Sequence, residues 1–251
     1  MCIRDRVLAG GQLGLQLHES CGHPIELDRV LGTEASYAGM SFLTPEKLGS
    51  FRYGSEIVNI TADATLPGGL GSFPYDDEGV PALRSWIVRA GIFTGYLTSR
   101  ETAARLGLPA SNGCMRADGW ARLPLIRMTN VNLEPGELSR EEIIATTERG
   151  ILMEDNLSWS IDDRRLNFQF GCECGRLIED GELTDLVRHP TYTGITPQFW
   201  GSCDAIADRE SWGVWGLPNC GKGEPGQTAH VGHGVSAARF RNVRVGVVED
   251  E

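Results

Sequence analysis

Six residues near the start of the chain place two histidines on either side of a glutamate: His18-Glu19-Ser20-Cys21-Gly22-His23. Neutral imidazole is a good ligand for zinc, and a carboxylate beside the first ligand can take a proton from a water bound to the metal. This combination predicts metal-assisted hydrolysis at neutral pH. The rest of the chain must then supply a third ligand, a substrate groove and a scaffold.

The spacing of the two histidines differs from that of the common zinc-protease helix, in which the pair lies at i and i+4 on one face. Here the interval is i to i+5, which on a regular helix separates His18 and His23 by about 140° of rotation. A wider, π-like turn would bring the imidazoles closer, and such bulges are frequent at functional sites. Gly22 could also end the helix and let His23 turn back. We therefore predict a distorted helix end at this motif.

The alternative is a surface helix end that carries two histidines by chance. The chain has five histidines, and two of them lie in this motif, which favours a metal site. Glu26 follows His23 by three residues, so it could reach the same metal or orient a ligand. A solvated acidic loop is the alternative for Glu26 and, with more weight, for Asp28.

Two regions near the end of the chain offer further ligands. Cys220 lies in a predicted glycine-rich loop beside Lys222, and a nearby lysine favours the thiolate, which is the form that binds zinc. His230 and His233 could bind the metal or line a cleft. In an extended segment they would face opposite sides, which favours a structural role for both.

The composition is that of an acidic globular protein. The chain has 251 residues, 41% of them hydrophobic, enough for one large domain or two small ones with an ordinary core. A net charge of −11 repels phosphate backbones, so we expect no binding of nucleic acid. No apolar run approaches the length of a transmembrane helix, and we expect no membrane association. The odd number of cysteines, seven, favours a reduced, cytoplasmic setting.

Strand patterns dominate the chain, whereas helical patterns are few and short. The motif helix begins near Gln12 and must stop at Pro24. Hairpin turns are predicted at Ala90-Gly91 and Asp180-Gly181. Serine caps and glycine stops predict two more helices, over residues 99–107 and 139–150. We predict an α+β fold of mainly antiparallel β-sheet, with a few short helices and the metal-motif helix near the N-terminus.

Three other groups of residues have an ordinary structural explanation. Asp76-Asp77-Glu78 could bind a hard cation such as calcium, but the lack of a following ligand ladder favours a turn with solvated carboxylates. Cys172 and Cys174 lie two apart on a predicted strand, so they face opposite sides and are poor joint ligands. The tryptophans between residues 197 and 216 are predicted to pack in the core, with substrate lining as the alternative.

Several motifs, in one order along the chain, resemble the TldD/PmbA family of metalloproteases, and specifically its TldD branch. The TldD branch carries the histidine-glutamate motif, which the PmbA (TldE) branch lacks. The matching blocks are His18 to His23 with Glu26, Asp76-Asp77-Glu78-Gly79, Arg127-Met128-Thr129-Asn130, the hairpin from Ile178 to Leu183, and Cys220-Gly221-Lys222 followed by Gly226-Gln227.

The resemblance implies a specific site and mechanism. The family's zinc ligands correspond to His18, His23 and Cys220, and its catalytic glutamate corresponds to Glu19. Two histidines, one thiolate and one water would complete a tetrahedral Zn²⁺ site with an open position. One departure is the segment after Gln227, where the family usually shows a proline-valine-glycine type of run.

The resemblance also implies substrates and partners. Family members are thought to cleave unfolded or extended peptides, sometimes as a TldD/TldE heterodimer. We therefore expect a zinc peptidase that forms a homodimer or pairs with a TldE/PmbA-like subunit. A non-catalytic peptide-binding subunit of such a complex is the alternative. We expect residues 1–6 to be a non-native leader, and residues 7–251 to be the C-terminal metalloprotease domain of a longer protein whose N-terminal domain is missing.

Overall fold

The computed structural model describes residues 2–37 and 39–247 and has the predicted α+β fold. Two β-sheets enclose a buried helix, and most strand pairs are antiparallel. The strands, in chain order, are β1 (Cys2–Leu8), β2 (Ile60–Asp63), β3 (Arg84–Arg89), β4 (Ile92–Phe93), β5 (Met115–Arg116), β6 (Leu125–Ile126), β7 (Asn130–Leu133), β8 (Arg149–Met153), β9 (Asn156–Ile161), β10 (Asn167–Cys172), β11 (Cys174–Glu179), β12 (Glu182–Arg188), β13 (Pro190–Ile195), β14 (Cys203–Ile206), β15 (Gly213–Lys222), β16 (Gln227–Val235) and β17 (Ala238–Val247).

The helices are short, as the sequence pattern predicts. They are α1 (Gly10–Leu17), α2 (Leu27–Val30), α3 (Arg100–Arg105), α4 (Arg140–Ala145) and α5 (Thr196–Gly201), with a π-helical turn over His18–Gly22 and a 3-10 turn over Pro45–Lys47. Among the described helices, none is both long and apolar enough to span a bilayer.

The larger sheet has the order β12-β11-β8-β1-β17-β13-β10-β9, and β14 also pairs with β17. Among the described strands of this sheet, β1 and β8 pair in parallel, and the other neighbours are antiparallel. The smaller sheet has the order β15-β16-β7-β2-β3-β4. Strands β9 and β15 are therefore edge strands, one in each sheet, and both lie close to helix α1.

Helix α1 lies between the two sheets, with contacts to β9 in the larger sheet and to β7, β15 and β16 in the smaller one. Six of its eight residues, 12–17, are buried, which is the pattern of a helix enclosed on all sides. Two of them are glutamines. Tyr192 receives a hydrogen bond from the Gln12 Nε2 and donates one to the Gln16 Oε1, so its hydroxyl links the two side chains within the core. The helix therefore leads the metal motif into the interior of the domain.

The local turn and cap predictions are confirmed in most places. Asp180 and Gly181 have φ of 51° and 85° and join β11 to β12 as a two-residue hairpin turn. Both predicted serine caps form complete capping boxes, at Ser99 and at Ser139. A cap of this kind stabilises a helix by about 1 kcal/mol. The predicted helix end at Gly150 is wrong, because α4 ends at Ala145 and Gly150 lies in β8.

Two other predictions need correction. The glycine-rich segment around Cys220 is not a loop, since it forms the end of β15 and pairs with β16. Of the tryptophans between residues 197 and 216, Trp200 is fully buried as expected, but Trp215 is 45% exposed. The Trp215 side chain lies against Gly10 and Gly14 of helix α1, so it covers part of the surface of that helix instead of filling the core.

Candidate metal centre

Three side chains predicted as ligands meet at the end of the motif helix. His18, His23 and Cys220 are all buried, and each offers a ligand atom within 4.8 Å of the others. The Cys220 Sγ lies 3.7 Å from the His23 Nε2. Tetrahedral zinc with ordinary bond lengths separates its nitrogen and sulfur ligands by about 3.3 to 3.6 Å. The spacing and chemistry of this donor set therefore fit a zinc ion.

The distorted helix end brings the two imidazoles together, as the spacing predicts. Residues His18–Gly22 form a π-helical turn, in which the amide of His23 donates to the carbonyl of His18 at 3.1 Å. The ring centroids of His18 and His23 are 4.7 Å apart and nearly perpendicular. Gly22 is the last residue of this turn, and His23 follows it with helical backbone angles. A Cβ at Gly22 would lie 2.1 Å from the Met128 Sδ, so a larger residue there would require the Met128 side chain to move.

Cys220 lies on strand β15 of the smaller sheet, about two hundred positions after the two histidines in the sequence. A buried arginine, Arg127, donates to the carbonyl oxygens of Cys220 and Gln227, and so clamps the two strands of the β15–β16 hairpin. The pairing register of this hairpin shifts between Leu217 and Cys220, a local irregularity of the kind found near functional sites. The position of the sulfur thus depends on tertiary contacts of two strands.

The surroundings of Cys220 favour the thiolate. Burial acts to raise its pKa, but the charge of His23, the hydrogen bond to His23 and the Arg127 guanidinium outweigh burial and lower it. The sequence suggested Lys222 as the group that favours the thiolate, but the Lys222 side chain has other partners. Its ammonium donates to Asp28 at 2.7 Å and to the carbonyl oxygen of Ile126 at 2.6 Å.

A buried carboxylate orients His23. The Glu26 Oε2 lies 3.0 Å from the His23 Nδ1 and 3.4 Å from the Arg29 Nε. The Glu26 Oε1 lies 3.5 Å from the Lys222 ammonium. Burial acts to raise the pKa of Glu26, but these cations hold it well below the ordinary value. Of the two roles considered for Glu26, the structure shows the orienting one; the solvated loop is wrong for Glu26 and for Asp28, which are both buried.

His233, on strand β16, orients His18. The His233 Nε2 lies 2.8 Å from the His18 Nδ1, and the His233 Nδ1 lies 3.0 Å from the carbonyl oxygen of Val131. His230 and His233 do face opposite sides of β16, since His230 is exposed and His233 is fully buried. Burial lowers the pKa of His233 to about 4, and burial is also the largest cause of the lowered pKa of His18.

Glu19 lies beside the three candidate ligands and forms an ion pair with Arg165. The Arg165 Nη1 donates to the Glu19 Oε2 at 2.6 Å, and both side chains are largely buried. Arg165 belongs to the tight turn between β9 and β10 and has a left-handed φ of 62°. Its Nε is buried without a hydrogen-bond partner.

These residues line one cavity of about 550 Å³. Its lining residues come from helix α1, the π-helical turn, strands β9 and β15, and the turn that carries Arg165. The lining residues are Gly11, Leu15, His18, Glu19, His23, Asn156, Trp159, Arg165, Leu217, Asn219, Cys220 and Gly221.

The remaining candidates are structural. Asp76 lies in the predicted turn, but its carboxylate is buried instead of solvated. It accepts hydrogen bonds from the amides of Glu78, Val80 and Met115. Those oxygens serve the backbone of the turn instead of a cation. The single strand predicted through Cys172 and Cys174 is wrong, because Cys172 ends β10 and Cys174 begins β11. Cys172 is buried and Cys174 is exposed.

Sequence reasoning missed Arg165 and undervalued His233. Arg165 lies 146 positions from Glu19 in the sequence, and no local motif marks it. His233 had a usable signal, because a histidine pointing inward from a strand needs a polar partner. Its partner could not be inferred from the sequence, since it lies on a helix 215 positions away.

The family model described as the PmbA/TldA metallopeptidase C-terminal domain matches residues 6–247. This chain belongs to the PmbA/TldD metallopeptidase family. The chain is 35% identical over 226 residues to a metalloprotease of Methanocaldococcus jannaschii, covering 90% of this chain and 47% of that protein. It is 27% identical over 241 residues to a protein of Saccharolobus solfataricus named zinc metalloprotease TldD homolog, covering 96% and 51%.

The fold is also similar to solved structures. The crystal structure of TldE from Thermococcus kodakarensis superposes with a TM-score of 0.78 at 20% sequence identity, covering 97% of this chain and 50% of that one. At this identity the likeness concerns the fold alone. The chain spans about half the length of the relatives that it matches.

Proposed function

We propose that this chain carries the catalytic site of a zinc-dependent peptidase that cleaves unfolded or extended peptides. The observation that carries the proposal is the convergence of His18, His23 and Cys220 beside Glu19 in one cavity. Two imidazoles and a thiolate favour zinc over magnesium or calcium, which prefer oxygen ligands. Relatives named as metalloproteases support the same class of activity.

In the proposed mechanism, His18, His23 and Cys220 hold the metal and Glu19 moves the proton. When held by these three side chains, a zinc ion would act as a Lewis acid toward the peptide carbonyl and would lower the pKa of a bound water to about 7. Glu19 accepts a proton from the attacking water and passes it to the leaving amine. Because Arg165 donates to the Oε2 of Glu19, the Oε1 is the oxygen that we propose for this transfer.

The walls of the cavity suit an extended backbone. Strands β9 and β15 are the edges of their sheets, and Trp159 and Asn219, one on each edge, line the cavity. An edge strand presents unpaired amide and carbonyl groups, which a peptide can pair with as an added strand. Such pairing reads the backbone more than the side chains, so substrates of varied sequence are proposed.

The proposed assembly is a homodimer or a heterodimer with a TldE-like subunit, in the cytoplasm. The fold likeness to TldE supports a partner of this type. The six cysteines for which the structure describes the side chains are all free, which supports a reducing compartment.

The test measures zinc and peptide cleavage separately. We expect the purified chain to bind one zinc ion, measured by elemental analysis, and to cleave a quenched fluorescent peptide without stable structure. Glu19→Gln should keep the zinc and lose cleavage by at least about 100-fold, the range of a general acid-base group. The exposed Glu210→Gln serves as the matched control. Cleavage retained by Glu19→Gln would remove Glu19 from the mechanism, and an inability of the chain to bind zinc would contradict the site.

A further inference from the structure

We propose that His233 is a positioning residue for His18, and that its neutral ring fixes the tautomer in which the His18 Nε2 keeps a free lone pair for the metal. The inference rests on the proposed metal site. It concerns a residue of β16 that lies outside the motif and is not among the three ligands.

The first step is the proton on His233. Its Nδ1 lies 3.0 Å from the carbonyl oxygen of Val131. A carbonyl oxygen can only accept a hydrogen bond, so the Nδ1 must carry a proton. In a neutral imidazole the other nitrogen then has no proton, and the His233 Nε2 is an acceptor.

The second step transfers this constraint to His18. The His233 Nε2 lies 2.8 Å from the His18 Nδ1, within the ordinary range for a hydrogen bond. Because the His233 Nε2 accepts, the His18 Nδ1 must donate. A neutral His18 is then left with a free lone pair on its Nε2, which is the form of imidazole that binds a metal.

The third step is the rigidity of the arrangement. His233 is fully buried, and its neighbour Gly234 donates a backbone hydrogen bond to the Asn132 side chain at 2.8 Å. On the helix side, Gly14 places its Cα close enough that an added Cβ would lie 3.7 Å from the Cβ of His233. The ring centroids of His18 and His233 are 4.9 Å apart, with planes at 89°. The packing thus holds His233 in the orientation that the hydrogen bonds require.

The arrangement differs from the usual support of a metal-binding histidine, which donates its second N–H to a carboxylate, a carbonyl or a water. Here the acceptor is another imidazole, whose own proton goes to a backbone carbonyl. A neutral acceptor fixes the tautomer of His18 without adding a negative charge to the metal site.

The direct test reads the tautomers in the metal-free protein. Histidine labelled with 15N gives distinct nitrogen shifts for the Nδ1–H and Nε2–H forms in long-range 1H–15N spectra. We expect His18 and His233 both to be in the Nδ1–H form, and Nε2–H at either ring would overturn the inference. Since no metal is present, this readout is independent of the proposed peptidase activity.

The second test compares variants by zinc competition with a chelator. His233→Leu removes the acceptor and should weaken zinc binding by about 10- to 100-fold, as for other groups that orient ligands. His233→Gln keeps a side-chain carbonyl that can accept from His18 and should lose less. His230→Gln, on the exposed side of the same strand, is the matched control and should bind like the wild type.

Thermal unfolding of each variant separates loss of fold from loss of support. Wild-type zinc affinity in a folded His233→Leu protein would overturn the proposal. If His233→Leu does not fold, His233→Gln and the spectra of the wild type still decide the question. If the wild type shows the expected tautomers but binds no zinc, the proposed function fails while the assignment of His18 stands.

Discussion

The two ligand imidazoles of the candidate site are supported by partners of opposite character. His23 faces a buried charged network, in which Glu26 lies between His23, Arg29 and the Lys222 ammonium. His18 faces a neutral chain that runs through His233 to a backbone carbonyl. The two rings are chemically identical and separated by one helical turn, yet their electrostatic surroundings differ.

The difference changes the basicity of the two rings. Burial acts to lower the pKa of His23, but the charges of Cys220 and Glu26 outweigh burial and raise it. On the other side, burial and the nearby charge of His23 hold the pKa of His18 well below its ordinary value. The difference in basicity therefore arises from the groups around each ring, including the candidate ligand Cys220 and the carboxylate Glu26 beside His23, and not from the imidazoles themselves.

The difference also changes how each side should respond to mutation. Removing one member of a buried charged network leaves an uncompensated charge, which costs about 3 to 5 kcal/mol. Removing one neutral hydrogen bond costs about 1 to 3 kcal/mol when it leaves a buried group unpaired. The charged network beside His23 should therefore contribute more to the stability of the domain than the neutral chain beside His18. Both should affect metal affinity.

The largest effect is expected from Lys222→Met. Lys222 is fully buried and pairs with both Asp28 and Glu26, so its removal leaves two buried carboxylates without their shared cation. We expect the free energy of unfolding to fall by about 3 to 5 kcal/mol, measured by urea denaturation of the metal-free protein.

The matched control is Arg105→Met, because Arg105 forms an exposed ion pair with Glu101 on helix α3. Exposed pairs contribute about 0 to 1 kcal/mol, so this variant should stay close to the wild type. Equal stability losses in the two variants would show that the buried network is not special.

A smaller effect is expected from Glu26→Gln. The glutamine keeps a similar shape and one acceptor oxygen, but the negative charge that supports His23 is lost. We expect zinc affinity to fall by about 10- to 100-fold in a chelator competition assay. The exposed Glu148→Gln should leave it unchanged. An unchanged affinity in folded Glu26→Gln would mean that the charge of Glu26 does not support the ligand.

The smallest effect is expected in how the free energy of unfolding falls at acidic pH. The folded-state pKa of Glu26 lies below its unfolded value of about 4.3. Glu26 therefore contributes stability that is present above the unfolded pKa and is lost as the pH falls through the folded pKa. Urea denaturation of the metal-free protein below about pH 5 should show a shallower loss in Glu26→Gln than in the wild type. Superimposable profiles would contradict the contribution of Glu26.

Local signals in the sequence were sufficient for several elements. The five-residue interval between His18 and His23 is incompatible with one face of a regular α-helix, and the structure has the π-helical turn that this interval predicts. The turn at Asp180-Gly181 and the serine caps are formed by residues close in sequence, so their geometry follows from local hydrogen bonds and allowed backbone angles.

Long-range signals were weaker, and the errors lie where distant strands meet. The glycines around Cys220 indicate a loop by composition, yet the segment is a strand because β16 and Arg127 hold it. Lys222 is close to Cys220 in sequence, but a strand directs its ammonium toward Asp28 on α2. A residue pattern shows what a side chain can do, and only packing shows which partner it meets.

The sequence by itself determined the family, the α+β class and the distorted motif helix, and it nominated His18, His23, Cys220 and Glu19 as site residues. These depend on residue types, short spacings and the order of the family's motifs along the chain. The tertiary structure decided that Cys220 reaches the two imidazoles, that Arg165 holds Glu19, and that His233 and Glu26 support different ligands. These contacts join residues brought together by two sheets closing around a buried helix. Their pairing depends on strand register and core packing, which no short stretch of sequence specifies.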